Sequence, residues 1–236
     1  MHVIVDQNFW DIFPDAQISL ISVKGLNNAI KEDKKQYFQD LLKKSSKKAE
    51  NFIQEDTFTQ NDVIKEWREA FTKFKTKKGA RSSIEALLKR VSQGREFSPI
   101  NPLVDLYNSI SLSYGLPCGG EDVNCIQGDM HLGKAKGGEA FFPLGAEEDS
   151  PALEEEIIYY DDAGAICRNL NWREAQRTML TEDTKEAVLV IEAVTSDQKL
   201  RAKEASEMLH QLITDYFGVT GQIVHLTKEN PKVELQ

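Results

Sequence analysis

The chain is poor in cysteine. Cys118, Cys125 and Cys167 are the three it has, and none forms a CxxC pair. An odd, sparse set in 236 residues argues against a disulfide framework and for a reducing compartment. Histidine is nearly as scarce. His2, His131, His210 and His225 are scattered and lack the ligand spacing of a zinc site, so neither a metal nor a cofactor is expected. No apolar run reaches the ~18 residues of a membrane helix. Met1 to Asp6 hold no basic n-region, and Trp10 to Pro14 form no apolar h-region. No leader and no membrane contact are therefore expected, and the chain reads as cytoplasmic. There is also no internal repeat and no low-complexity linker. What remains is 40 % apolar and 28 % charged residues, an ordinary globular composition, read here as a single domain over 1–236.

Positive charge is short overall, with a net charge of −9. That argues against a general nucleic-acid coat protein and against a DNA partner. The shortage is local, however. Residues 24–95 carry 18 lysines and arginines against 10 aspartates and glutamates, a balance of +8, and the remainder stands at −17. The basic stretch is the one part suited to a phosphate backbone. Its plainer reading is a set of solvated helix faces.

Periodicity supplies the elements. His2 to Val5 and Ile18 to Val23 read as strands. A lysine-rich helical pattern runs from about Asn27 to Ile53. A second helix is expected over Gln60 to Lys75 with Thr59 as N-cap, and a third over Ser83 to Ser92, where Ser82 and Glu85 fit a capping box. Asn101-Pro102 opens a helix that stops at Gly115. Short strands follow at Met130 to Ala135, Glu139 to Pro143, Ile157 to Tyr160, Ala165 to Cys167 and Ala187 to Val194. A long helix over Asp197 to Phe217 and a strand over Gln222 to Leu226 come next, and Glu229 to Gln236 reads as a frayed tail. Helices gather early and strands centrally, which is an α+β pattern.

Three features could carry chemistry. Asn101, Asp105 and Asn108 recur on one face of an otherwise apolar helix, as a cap with a solvent face or as ligand contacts. Gly115-Leu-Pro-Cys-Gly-Gly-Glu-Asp122 offers adjacent glycines for a plain turn or for close approach to a ligand. Cys167-Arg-Asn-Leu-Asn-Trp-Arg173 gathers two arginines, two amides and a tryptophan, as a salt-bridged loop or as a hold on carboxylate, phosphate or nucleobase. Cys167 has no neighbouring histidine to activate it.

The order of motifs is more specific than any one of them. Pro99-Ile-Asn-Pro-Leu-Val-Asp-Leu-Tyr-Asn108, Tyr114-Gly-Leu-Pro117, Ile126-Gln-Gly-Asp129, Lys136-Gly-Gly-Glu139, Thr184 and Val188-Leu-Val-Ile-Glu192 follow one another. Over about residues 98–194 this resembles the B3/B4 domain, the editing module of the phenylalanyl-tRNA synthetase β subunit. The Cys-Arg-x-x-Asn-Trp-Arg segment looks like that of the free-standing members.

The resemblance implies an α+β, sandwich-like fold of short strands flanked by helices. The basic helical segment 24–95 would precede the family-like core 98–194, and a C-terminal helix and strand, 197–226, would follow it. It implies hydrolysis of the ester of a mischarged aminoacyl-tRNA. The alternatives are a non-catalytic module for tRNA or a free amino acid, and a hydrolase of another small amino-acid ester. Asn108 falls on the family's site asparagine and Glu192 on its site glutamate. Tyr107 replaces a site threonine, and Gly119 replaces a site histidine. The catalytic set expected is Asn108, Gly119, Gly120 and Glu192, with the glycine amides as oxyanion donors. Tyr107, Glu121, Arg168, Asn171, Trp172 and Arg173 are expected to hold substrate. Lys75, Lys77, Lys78 and Arg81 are expected to dock aminoacyl-tRNA.

Overall fold

Aliphatic and β-branched residues crowd two eight-residue stretches, and both become central strands. The computed structural model describes residues 1–235. In chain order the elements are β1 (His2–Val5), α1 (Gln7–Trp10), β2 (Gln17–Lys24), α2 (Lys35–Ala49), α3 (Asp62–Thr72), α4 (Ser83–Ser92), α5 (Pro102–Tyr114), β3 (Cys118–Asp122), β4 (Met130–Lys134), β5 (Ile157–Asp161), β6 (Gly164–Arg168), β7 (Arg173–Glu174), β8 (Glu186–Ala193), α6 (Ser196–Phe217), β9 (Gln222–Leu226) and β10 (Lys232–Glu234). Short 3-10 turns join several of them. Among the described residues no helix is long and apolar enough to cross a membrane.

The strands form two sheets. One has six strands in the order β10-β1-β4-β5-β6-β7, and the other has four in the order β3-β8-β2-β9. All pairings are antiparallel except β1 with β4. The β8 strand is apolar at nearly every position because both its faces are covered. Val188 and Val190 face the other sheet and share a core with Ile18, Leu20, Met130, Ile157 and Tyr159. Leu189 and Ile191 face a helical layer and share a second core with Leu106, Ile110, Leu209, Ile213 and Phe38. The layers are thus helices α2, α5 and α6, then the four-stranded sheet, then the six-stranded sheet. Helices α3 and α4 add Ile64, Trp67, Phe71, Ile84 and Leu88 to the inter-sheet core, together with Phe9, Trp10 and Phe13. Each large apolar side chain buried there contributes about 1.5–3 kcal/mol. The α+β sandwich with flanking helices is as expected.

Local chemistry explains the best-placed ends. Helix α5 starts where Asn101 Oδ1 accepts from the Val104 amide at 3.1 Å and ends at Gly115 with φ of 64°. Ser82 Oγ accepts from the Glu85 amide at the start of α4. Four expectations need correction. The first long helix begins only at Lys35, because Asn28 is drawn off to cap α5, accepting from the Leu103 amide at 2.9 Å. The next has Asn61 and not Thr59 at its N-cap position, with the Asn61 Oδ1 turned to the Glu55 amide, and stops at Thr72. Residues Glu139 to Pro143 form no ladder strand. Gly137 and Gly138 both have positive φ, and the Glu139 carboxylate accepts from the Lys136 and Gly137 amides, closing a turn. The tail is not frayed, since β10 adds antiparallel to β1; Gln236 lies outside the described residues.

Candidate functional site

Strand parity assembles the site. In the β3–β8 register Gly119 lies opposite Val190 and Glu121 opposite Val188. Side chains two apart share a face, so Gly119, Glu121, Val190 and Glu192 all look toward the six-stranded sheet. From that sheet Met130, Tyr159 and Cys167 look back. Between them is a small cavity lined by Gly119, Gly120, Glu121, Met130, Tyr159, Cys167, Asn171 and Val190, with room of about 10 Å³. That is close to the space one water needs.

The cavity is acidic and buried. Glu121 is 4 % exposed, and burial, then the neighbouring Glu174, pushes its carboxyl well above the usual range. Burial raises Glu174 to about 7 and Glu192 to about 8. Tyr159 Oη donates to Glu192 Oε1 at 2.9 Å, and Tyr107 Oη reaches Glu174 Oε1 at 3.4 Å. Cys167 Sγ lies 3.4 Å from Glu121 Oε1. Burial first, then these carboxylates, raises its thiol far above neutrality, so it is not a thiolate nucleophile. Three polar atoms here have no protein partner: Glu121 Oε2, Asn171 Nδ2 and Thr178 Oγ1. Thr178 Oγ1 stands near the same carboxyl without hydrogen-bond geometry. Buried polar groups are rarely left so, and a donor and an acceptor facing one void suit a bound water or ligand.

The absent histidine has a steric explanation. A Cβ on Gly119 would lie 2.4 Å from Asn171 Nδ2 and 2.6 Å from Asn171 Oδ1. The asparagine amide therefore fills the space that a side chain at 119 would take. The two residues are 52 apart in sequence, and nothing local signals the exchange.

Other expected residues sit elsewhere. Glu192 N–H donates to Pro117 C=O at 3.1 Å, which by alternation directs the Gly119 amide into the β8 ladder. Strand amides lie in the plane of the sheet and the cavity lies on its face, so the Gly119 amide is spent on the ladder; Asn171 Nδ2 is a side-chain donor beside the cavity without a protein partner. Arg168 is 1 % exposed. It donates through Nε to Glu156 Oε2 at 2.7 Å and through Nη1 to the Ser150 carbonyl at 2.6 Å. It is an internal cation and cannot take a ligand phosphate. Asn108 is half-buried on α5, makes no side-chain hydrogen bond among the described residues and does not line the cavity. Asn101 and Asp105 are caps: Asp105 Oδ1 accepts from the Ile100 amide at 3.0 Å. Trp172 is half-buried, with the exposed Arg173 guanidinium 5.4 Å from its ring. Lys75, Lys78 and Arg81 are exposed, whereas Lys77 is tied inward, donating to Ser150 Oγ. Tyr159 and Glu174 were missed. The inward parity of Ile157 and Tyr159 was a signal for the first; only the fold brings Glu174 to Glu121.

The comparisons agree with this architecture. The sequence model described as the B3/4 domain matches residues 66–218. The chain belongs to the B3/4 domain family. Its fold is similar to that of an N-terminal fragment of the phenylalanyl-tRNA synthetase β-subunit from Pyrococcus horikoshii, with a TM-score of 0.51 and 14 % identity. The likeness covers 94 % of this chain and 53 % of that fragment, so this B3/4 protein spans about half the fragment's length. No curated protein matches it.

Proposed function

We propose that this B3/4 protein hydrolyses the ester of a mischarged aminoacyl-tRNA in trans. The observation that carries the reading is the unpartnered pair, Asn171 Nδ2 and Glu121 Oε2, facing one buried cavity. Family membership and the synthetase-like fold support it. An aminoacyl ester is already activated, so a held water, a donor for the developing oxyanion and a fixed substrate suffice. Asn171 Nδ2 supplies the donor. Burial holds the carboxyls of Glu121 and Glu174 above the ordinary range. A carboxylate there takes the proton of the attacking water and, as the acid so formed, gives it to the leaving ribose oxygen. Glu192, held by Tyr159, shapes the inner wall where the amino-acid side chain enters. Residues 169–178 must move to admit it, because the closed cavity holds only one water. The exposed Lys75, Lys78 and Arg81, with Lys43, Lys44 and Lys48 on α2, offer phosphate contacts for the tRNA body. Arg177, paired with Asp161, acts on Glu121, and the exposed Arg173 offers a further phosphate contact.

The test is a panel of mischarged tRNAs labelled on the amino acid. Release above the spontaneous rate, with Glu121→Gln and Asn171→Ala each slower by about 10²–10³, is expected. Stoichiometric tRNA binding without release from any member would leave a non-catalytic binding module instead.

A further inference from the structure

A second and larger cavity, of about 400 Å³, opens between α3 and the turn that leads into α4. It is lined by Trp67, Arg68, Phe71, Thr72, Gly79–Ser82 and Glu85, and it shares no residue with the inter-sheet cavity. Its size is in the range of small-molecule sites.

Three features of the wall point to one kind of occupant. Arg68 is fixed by Glu85: Nη2 donates to Oε1 at 2.7 Å, and Nε to both oxygens at 3.2 Å. Nη1 keeps its own donors for a further acceptor. Arg81 is exposed and stands in no ion pair of the described residues. The opening turn of α4 meets the same cavity at Ser82, adding the positive end of a ten-residue helix. Phe71, Ala80 and the edge of Trp67 supply an apolar side. Glu85 in the same wall offsets Arg68 and sits in the first turn of α4, so the free Arg81 guanidinium is the excess positive charge, and the planar forks of the two arginines suit phosphate. The apolar wall and the volume exceed what an inorganic ion needs.

We propose that this cavity binds a nucleoside monophosphate unit. The phosphate lies between Arg81, Arg68 Nη1 and the start of α4. The base lies along Phe71 and Ala80. The unit could be a free nucleotide or one nucleotide of an RNA strand, since the chemistry is shared. The inference concerns a separate cavity and does not depend on hydrolysis; it shares Arg81 with the tRNA-docking surface proposed above, and binding of a mononucleotide, blocked by filling the cavity, separates the two.

Calorimetric titration of the full chain with AMP, CMP, GMP and UMP, with a three-nucleotide RNA and with inorganic phosphate tests it. At least one nucleotide or the RNA should bind about tenfold tighter than phosphate. Arg81→Ala, which removes a charged contact, should weaken that binding by about tenfold or more. Thr72→Trp, which fills the mouth and gives up only an exposed hydroxyl bond to the Glu69 carbonyl, should abolish it. Both positions are exposed, so unchanged thermal unfolding should show that both variants fold. Tight binding of the RNA alone identifies a strand, and tight binding of a mononucleotide identifies a free ligand. The proposal is overturned if no nucleotide or RNA binds, if phosphate binds equally well, or if both variants bind like the parent.

Discussion

Replacing Gly119 by alanine adds one methyl group where the cavity has no room. Its carbon would lie 2.4 Å from Asn171 Nδ2 and 2.8 Å from Asn171 Cγ, more than 0.5 Å inside ordinary contact. Asn171 is 8 % exposed and Gly119 lies in β3, so relief requires the Asn171 amide to turn aside within a packed interior. Overpacking of this kind costs about 1–3 kcal/mol, a fall of roughly 2–10 °C in Tm for a chain of this length. Asn171→Ala costs less on this side, because its Nδ2 has no protein partner to lose. The double variant Gly119→Ala with Asn171→Ala removes the clash. It should recover about 1–2 kcal/mol relative to the sum of the singles, as neighbours sharing one space do. Urea unfolding of the four proteins measures the coupling. Strict additivity would refute the claim that Asn171 occupies the side-chain space of position 119, and with it the account of the missing histidine.

Further expectations follow from the buried charges. Glu192 is raised from the ordinary glutamate range to about 8 by burial, so the folded state holds its proton more firmly than the unfolded chain. Its contribution is therefore fully present below about pH 4 and lost as pH rises toward 8; Glu192→Gln should flatten that decline in denaturation profiles between pH 5 and 8, and an unchanged slope would contradict the burial. Arg168→Ala should destabilise by about 3–5 kcal/mol, because Glu156 is left buried and unpaired, while Arg168→Met with Glu156→Leu should regain most of the loss; equal losses in chemical denaturation would count against an internal pair. Neutralising Lys75, Lys78 and Arg81 together should lower the salt slope of tRNA binding by roughly 2–3. Lys77→Ala should leave that slope unchanged and lower Tm, since its amine is bonded to Ser150 Oγ; the reverse pattern in filter binding would relocate the contact.

Elements governed by their own residues were legible in the sequence. The β1 strand, both ends of α5 and the Ser82 cap follow from β-branching, Asn-Pro, a left-handed glycine and a serine oxygen, all within a few positions. The order of weak motifs likewise reached the family and the sandwich. What the sequence could not show are outcomes of pairing between distant segments. Asn28 leaves the first long helix because the α5 start, 73 residues away, needs an acceptor. Arg168 turns from ligand contact to internal cation because the fold buries Glu156 beside it. Glu121 and Glu174 act on each other only because β3 and the 169–178 segment enclose one buried space. Whether Gly119 opens onto a ligand or onto Asn171 was settled by the packing of two sheets. Local geometry acts over a turn of helix or a step of strand, whereas burial, and the pKa and partner it imposes on a side chain, belongs to the whole packed interior.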